Sequence, residues 1–122
     1  MNFGAFLKIA REEQDLSFRQ LEQKTDIDHA YIWRLEQGDN KNPSEEIVNR
    51  LGKELNLSKR KREIFSLLAH QEIPDPLYEL MAEQSEISWD SFVSVATMSN
   101  RGKRPANKEE WLRFVTMIDE LG

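Results

Sequence analysis

Two histidines, His29 and His70, are the only imidazoles in the chain, and it has no cysteine. Thiolate-bound zinc, a disulfide framework and a cysteine nucleophile are therefore excluded, since each requires sulfur. The histidines fall in separate segments with no HExxH-like pairing, and no glycine-rich phosphate loop occurs. These patterns point to no enzyme, no cofactor and no metal site. What remains is recognition chemistry, carried by cations and aromatics: Trp33 beside Arg34, the run Lys59-Arg60-Lys61-Arg62, and the stretch Arg101-Gly102-Lys103-Arg104. The net charge is −5, from 17 Lys and Arg against 22 Asp and Glu. An acidic chain lacks the broad basic surface that charge-driven, non-specific nucleic-acid binding needs, so any such contact must come from a local patch.

The elements that must position these groups read as helices. Phe3, Phe6, Leu7 and Ala10 follow i, i+3, i+4, i+7, as do Trp89, Phe92, Val93 and Ala96, and Trp111, Phe114, Val115 and Ile118. No strand-type alternation persists, so the chain is predicted to be all-α. Ser17 with Gln20 makes a capping box, Asn107 with Glu110 resembles one, and Ser44, Ser58 and Ser88 stand at N-caps. Five helices fit into residues 1–72, with Phe3, Phe6, Leu7, Leu21, Ile32, Leu35, Ile47, Val48, Leu51, Ile64 and Leu68 as their core. Pro74 and Pro76 then remove amide donors, and Asp75 before Pro76 suits the N-cap of a new helix. The boundary falls there: a domain over 1–72, a linker at 73–76, and a second domain over 77–122 with helices near 76–85, 88–99 and 108–121. The first part holds 12 basic and 13 acidic residues and the second 5 and 9, which assigns any anionic partner to the first. No apolar stretch approaches the roughly 20 residues that span a bilayer, and the opening residues lack the pattern of a signal peptide, so a soluble cytoplasmic protein is expected.

Leu16 to Gly38, LSFRQLEQKTDIDHAYIWRLEQG, is the most informative stretch. Ser17 caps a short helix with Leu21 inward, Asp26 occupies a turn that favours positive φ, and Ile27 plugs the corner. Asp28 caps a second helix with Ile32 and Leu35 inward, which turns Trp33 outward. This is the layout of a helix-turn-helix, whose first helix crosses the DNA backbone while the second presents its solvent face to the major groove. From Phe6 to Leu57, including Asn42-Pro43-Ser44 and Leu55-Asn56-Leu57-Ser58, the chain resembles the Cro/phage-repressor (XRE) family. The resemblance implies a five-helix, lambda-repressor-like domain that binds an operator in double-stranded DNA. It implies that Ser17, Phe18 and Arg19 lie at a helix N-terminus that meets a phosphate. His29, Ala30, Trp33 and Arg34 would enter the groove, with Arg34 reading guanine through a two-pronged hydrogen bond. Lys41 and Asn42 would grip the backbone, and Arg11 with Glu36 would form a buried ion pair of the scaffold. Phe18, Glu22 and Asp26 replace the Gln, Ala and Gly usual in the family. Asp26 tolerates the left-handed conformation, and the stem of Glu22 is expected to snorkel outward. Lys59 to Arg62, at a helix start where cations oppose the dipole, reads as a solvated face, with a phosphate or partner contact as the lesser alternative.

In the second half, Gly102 and Pro105 interrupt the helical pattern and leave a basic loop between two amphipathic helices. Residues Ile87 to Leu121, most densely Arg101 to Pro105 and Trp111, resemble the C-terminal domain of DdrO-type repressors, which ImmA/IrrE-type metallopeptidases cut during a stress or DNA-damage response. The resemblance places the cut between Asn100 and Arg101; a merely soluble or DNA-touching loop is the alternative. Trp89, Phe92, Val93, Trp111, Phe114, Val115 and Ile118 supply more apolar surface than a three-helix unit of about 50 residues easily buries, which predicts a homodimer through this half. The expected function is a dimeric, sequence-specific repressor inactivated by cleavage in residues 99–103. An antitoxin-like regulator whose C-terminal half binds a partner protein is the rival.

Overall fold

The computed structural model describes residues 1–39, 42–98 and 104–122. Lys41, expected at a phosphate, and Asn100 and Arg101, expected at the cut bond, lie outside the described residues. Among the described residues every regular element is an α-helix, and the chain divides into two units, Met1–Glu72 and Ile73–Gly122. No helix among them is long and apolar enough to cross a membrane.

The first unit holds α1 (Phe3–Glu13), α2 (Phe18–Thr25), α3 (His29–Gln37), α4 (Glu45–Glu54) and α5 (Lys59–Leu68). Asn2 Oδ1 accepts the Ala5 amide at 2.9 Å to start α1, and the Ser44 and Ser58 hydroxyls accept the Ile47 and Lys61 amides, each at 3.2 Å, to start α4 and α5. α1 packs on α3 and α5, α2 on α3 and α4, and α4 on α5. Phe65 is fully buried at the centre, its ring 4.5 Å from that of Phe3 and 5.3 Å from that of Phe6. Phe65 and Leu55 join the core that the periodicity outlines, while Ile47 is only half-buried. Large apolar side chains buried in this way contribute about 1.5 to 3 kcal/mol each. The tightest backbone approach is at Gly4, where a Cβ would lie 2.5 Å from the Glu36 carbonyl oxygen and 2.7 Å from that of Leu35. Only glycine lets α1 sit this close to the end of α3.

The second unit holds α6 (Asp75–Glu83), α7 (Trp89–Met98) and α8 (Lys108–Leu121). Its start corrects the sequence reading by one position: Pro74 is the N-cap, Asp75 is already helical, and Pro76 sits in the first turn, where its missing amide costs no helical bond. Nor is 73–76 a separate linker, because Ile73 is 1% exposed and belongs to the second unit. α8 packs on both α6 and α7. Leu77, Leu80, Met81, Phe92, Val95, Trp111 and Val115 are all buried. Asn107 Oδ1 accepts the Glu110 amide at 3.0 Å, but Glu110 reaches back to the Ala106 amide, at 2.6 Å, rather than to its own cap residue. Lys108 Nζ lies 2.9 Å from Glu83 and 3.6 Å from Glu79 of α6, contacts that hold its ammonium pKa above the ordinary value. Asp119 Oδ1 accepts from the Ser91 hydroxyl at 2.8 Å and from the Ser88 amide at 3.2 Å, tying α8 to the start of α7.

Candidate nucleic-acid interface

Local hydrogen bonding fixes the start of α2. Ser17 Oγ accepts the Gln20 amide at 3.1 Å while Gln20 Oε1 accepts the Ser17 amide at 2.8 Å, a complete capping box. Phe18 and Arg19 occupy the first turn, whose amides have no partner within a helix. Those two amides and the positive end of the helix dipole are what α2 offers an anion. The Phe18 side chain does something else: the Arg11 guanidinium carbon sits 4.1 Å from its ring centroid. Phe18 thus braces the scaffold by a cation–π contact and leaves only its backbone for a phosphate.

The turn follows from two side chains. The Thr25 hydroxyl donates to the Leu21 carbonyl at 2.7 Å and accepts the Ile27 amide at 3.2 Å. Asp26 then takes φ 60° and ψ 29°, the left-handed conformation that Asp tolerates, and Ile27 is buried at 4% exposure. Beyond it α3 sorts its residues by face. Ile32 and Leu35 are buried, Ala30 is half-buried, Arg34 is exposed, and Trp33 is 48% exposed. Arg34 has no ion pair among the described residues. Gly38, at φ 79°, ends α3, and Asn42 follows exposed and left-handed at φ 59°.

The cap of α3 overturns two expectations. Asp28 occupies the N-cap position but its side chain makes no capping bond. Glu22, from α2, performs that role: its Oε1 accepts the His29 amide at 2.6 Å and lies 2.8 Å from His29 Nδ1. Its stem does not snorkel outward, because the carboxylate is drawn across the turn by the unsatisfied donors of the next helix. The His29 amide first, and its ring second, hold the Glu22 carboxyl below the ordinary carboxylate range. Sequence reasoning marked Glu22 as a departure from the family but missed its capping role. Among the described residues Glu22, Asp28 and His29 also form a set whose ligand atoms lie within 4.8 Å of one another, close enough to hold a cation. Glu22 Oε1 and His29 Nδ1 already face each other, so an ion there would have to break that bond.

Arg11 and Glu36 lock α1 to α3. Arg11 Nε donates to Glu36 Oε2 at 2.6 Å and Nη2 to Oε1 at 3.1 Å, while Nη1 donates to the Leu16 carbonyl at 2.9 Å. The Glu36 side chain is 1% exposed, and its hydrogen bonds hold the Arg11 pKa above the ordinary value.

In the second unit the structure divides the proposed contact residues. Phe92, Trp111 and Val115 are fully buried within the chain and build its core, so they offer no surface to a second copy. Trp89, Val93, Phe114 and Ile118 are half-buried. Met117, 52% exposed, and Leu121, 78% exposed, were not singled out by sequence, although 114, 117, 118 and 121 keep the i, i+3, i+4, i+7 spacing that signals such a stripe.

Among curated proteins none matches the chain. The family model of the helix-turn-helix domain matches residues 2–63, which is just over half of the 122 residues and spans α1 to α4 and the start of α5. A capped α2, a left-handed turn at Asp26 and an α3 with one buried and one exposed face fall inside that match, and the chain belongs to the helix-turn-helix domain family, a family of DNA-binding regulators.

Proposed function

We propose that the protein is a sequence-specific transcriptional repressor that binds its operator as a dimer, with α3 in the major groove. The observation that carries this reading is the outward face of α3. Trp33 is 48% exposed and Arg34 has no ionic partner among the described residues, while Ile32 and Leu35 of the same helix are buried. An exposed Trp beside a free guanidinium adds nothing to the core of the unit. A guanine edge supplies the acceptors the guanidinium needs, and a thymine methyl supplies an apolar contact. The α2 amides of Phe18 and Arg19, with Lys41 and Asn42, would set the register on phosphates. Selection of duplexes from random DNA by the full chain tests this. Arg34→Ala should then weaken binding to the selected site by about 1 to 3 kcal/mol and relax preference at one base pair. Equal losses on selected and random duplexes would refute the groove assignment.

The stripe of Phe114, Met117, Ile118 and Leu121 supports dimerisation through α8. Two linked reading heads gain affinity by effective concentration, and loss of the link would release the operator. Cleavage by an ImmA/IrrE-type metallopeptidase between 99 and 103, in response to stress, would separate α7, ending at Met98, from α8, starting at Lys108. Trp111 and Val115 would then leave with α8, removing part of the second unit's core along with the dimer contact. Mass spectrometry of the chain after incubation with such a peptidase and its metal checks this, an intact chain being the result against it.

A further inference from the structure

The Glu22–His29 contact has a chemical consequence on the face assigned to DNA. A carboxylate oxygen is only an acceptor, so the ring nitrogen facing it at 2.8 Å, His29 Nδ1, must carry a hydrogen. In a neutral imidazole one nitrogen is a donor and the other an acceptor. In the neutral ring the proton held on Nδ1 therefore leaves Nε2 an acceptor, and Nε2 has no hydrogen bond among the described residues. Asp28 Oδ1 stands farther off, at 3.4 Å from Nδ1, and the hydrogen bond that fixes the ring proton is the one to Glu22. The carboxylate cannot easily turn away, because the same Glu22 oxygen accepts the His29 amide at 2.6 Å. His29 is the first residue of α3 and its side chain is 36% exposed.

We infer that Glu22 is a positioning residue of the DNA interface that sets sequence preference through His29, making Nε2 an acceptor for the exocyclic amino group of one adenine or cytosine. In the major groove those amino groups, N6 of adenine and N4 of cytosine, are the base donors, whereas guanine offers N7 and O6 as acceptors. A His29 with the opposite tautomer would present a donor and suit guanine or a phosphate instead. The inference rests on the DNA-binding reading above and adds to it a residue that touches no base.

The ring tautomer can be read without DNA. In the full chain with 15N-labelled histidine at about pH 8, above the ordinary imidazole range, ring nitrogen shifts report which atom holds the proton, and a His29→Asn spectrum identifies the His29 signals. Wild type should carry it on Nδ1. Glu22→Gln, whose side-chain oxygen still accepts, should keep it there, and Glu22→Ala should release it to Nε2. A wild-type ring protonated on Nε2, or an unchanged ring in Glu22→Ala, overturns the inference. The DNA arm, at the same pH, uses duplexes selected by the wild-type chain, with each adenine or cytosine replaced in turn by an analogue lacking the amino group. Wild type and Glu22→Gln should lose about threefold to tenfold in affinity at one position, the worth of a single hydrogen bond. Glu22→Ala and His29→Ala should be indifferent to that change. If Glu22→Ala weakens every duplex alike and keeps the amino-group dependence, Glu22 is only a helix cap and the inference fails alone. A wild-type chain that selects no sequence refutes the DNA-binding reading itself, whatever the tautomer shows.

Discussion

Two glycines in the first unit should respond to the same substitution with opposite signs. Alanine in a helix interior is favoured over glycine by about 0.5 to 1 kcal/mol, because the unfolded chain loses less freedom. At Gly52 that gain is available: an added methyl would meet Arg62 Cγ at 3.7 Å, Leu57 Cδ1 at 3.9 Å and Phe65 Cδ2 at 3.9 Å, all ordinary contacts. At Gly4 it is not. The methyl would stand 2.5 Å and 2.7 Å from two carbonyl oxygens of α3, where ordinary contact begins at 3.4 Å, so α1 must retreat by about 0.7 to 0.9 Å. The obstacle is backbone and cannot rotate aside. Such a shift disturbs the Phe3–Phe65 stack and the Arg11–Glu36 bridge in the same interface, and overpacking of this kind costs about 1 to 3 kcal/mol. With no helix-interior gain to offset it in the first turn of α1, Gly4→Ala should be destabilised by about 1 to 3 kcal/mol, whereas Gly52→Ala should be stabilised by about 0.5 to 1 kcal/mol. Urea denaturation of both variants, followed by far-ultraviolet dichroism and compared at midpoint, measures the difference. A Gly4→Ala protein as stable as wild type, or a destabilised Gly52→Ala, would refute the packing described for α1 and α4.

The Arg11–Glu36 bridge predicts that Arg11→Leu, which leaves a carboxylate of 1% exposure without its partner, costs about 3 to 5 kcal/mol, whereas Arg11→Met with Glu36→Leu together costs less than that single change; a larger loss in the double variant on denaturation would contradict this. The Glu22 carboxyl has a folded pKa below its unfolded one, so its contribution is present above the ordinary carboxylate range and disappears as pH falls through the folded value. Stability of wild type relative to Glu22→Gln should therefore be greatest near neutrality and shrink in acid, and a gap that widens on acidification would oppose the capping role. For the second unit, Met117→Glu with Leu121→Glu should yield monomers in sedimentation while leaving helical content intact, since both side chains are at least half exposed; dimers that persist in this variant would remove α8 as the interface.

Local features were legible in the sequence because their causes are local. The capping box at Ser17, the caps at Ser44 and Ser58 and the left-handed Asp26 depend on residues within four positions of one another. Buried stripes follow in the same way from helical period. The division of α8 was harder. Trp111, Leu112, Phe114, Val115, Met117, Ile118 and Leu121 wrap more than half of the helix, so periodicity alone does not say which of them face α6 and α7. Only the positions of those helices, set by contacts remote in sequence, turn Trp111 and Val115 inward and leave Met117 and Leu121 out.

The site shows the same limit more sharply. An Asp at position 28, just before a helical pattern, is good capping chemistry, and local reasoning assigns it the cap. Six residues earlier Glu22 stands within α2, and its longer carboxylate, arriving from the neighbouring helix, reaches the His29 amide at 2.6 Å. A cap supplied by Asp28 would have closed α3 upon itself, independent of where α2 lies. A cap supplied by Glu22 makes the first turn of α3 depend on α2. The helix that would cross the DNA backbone and the helix that would read the groove thus share one carboxylate, and a displacement of either moves the ring of His29 with it.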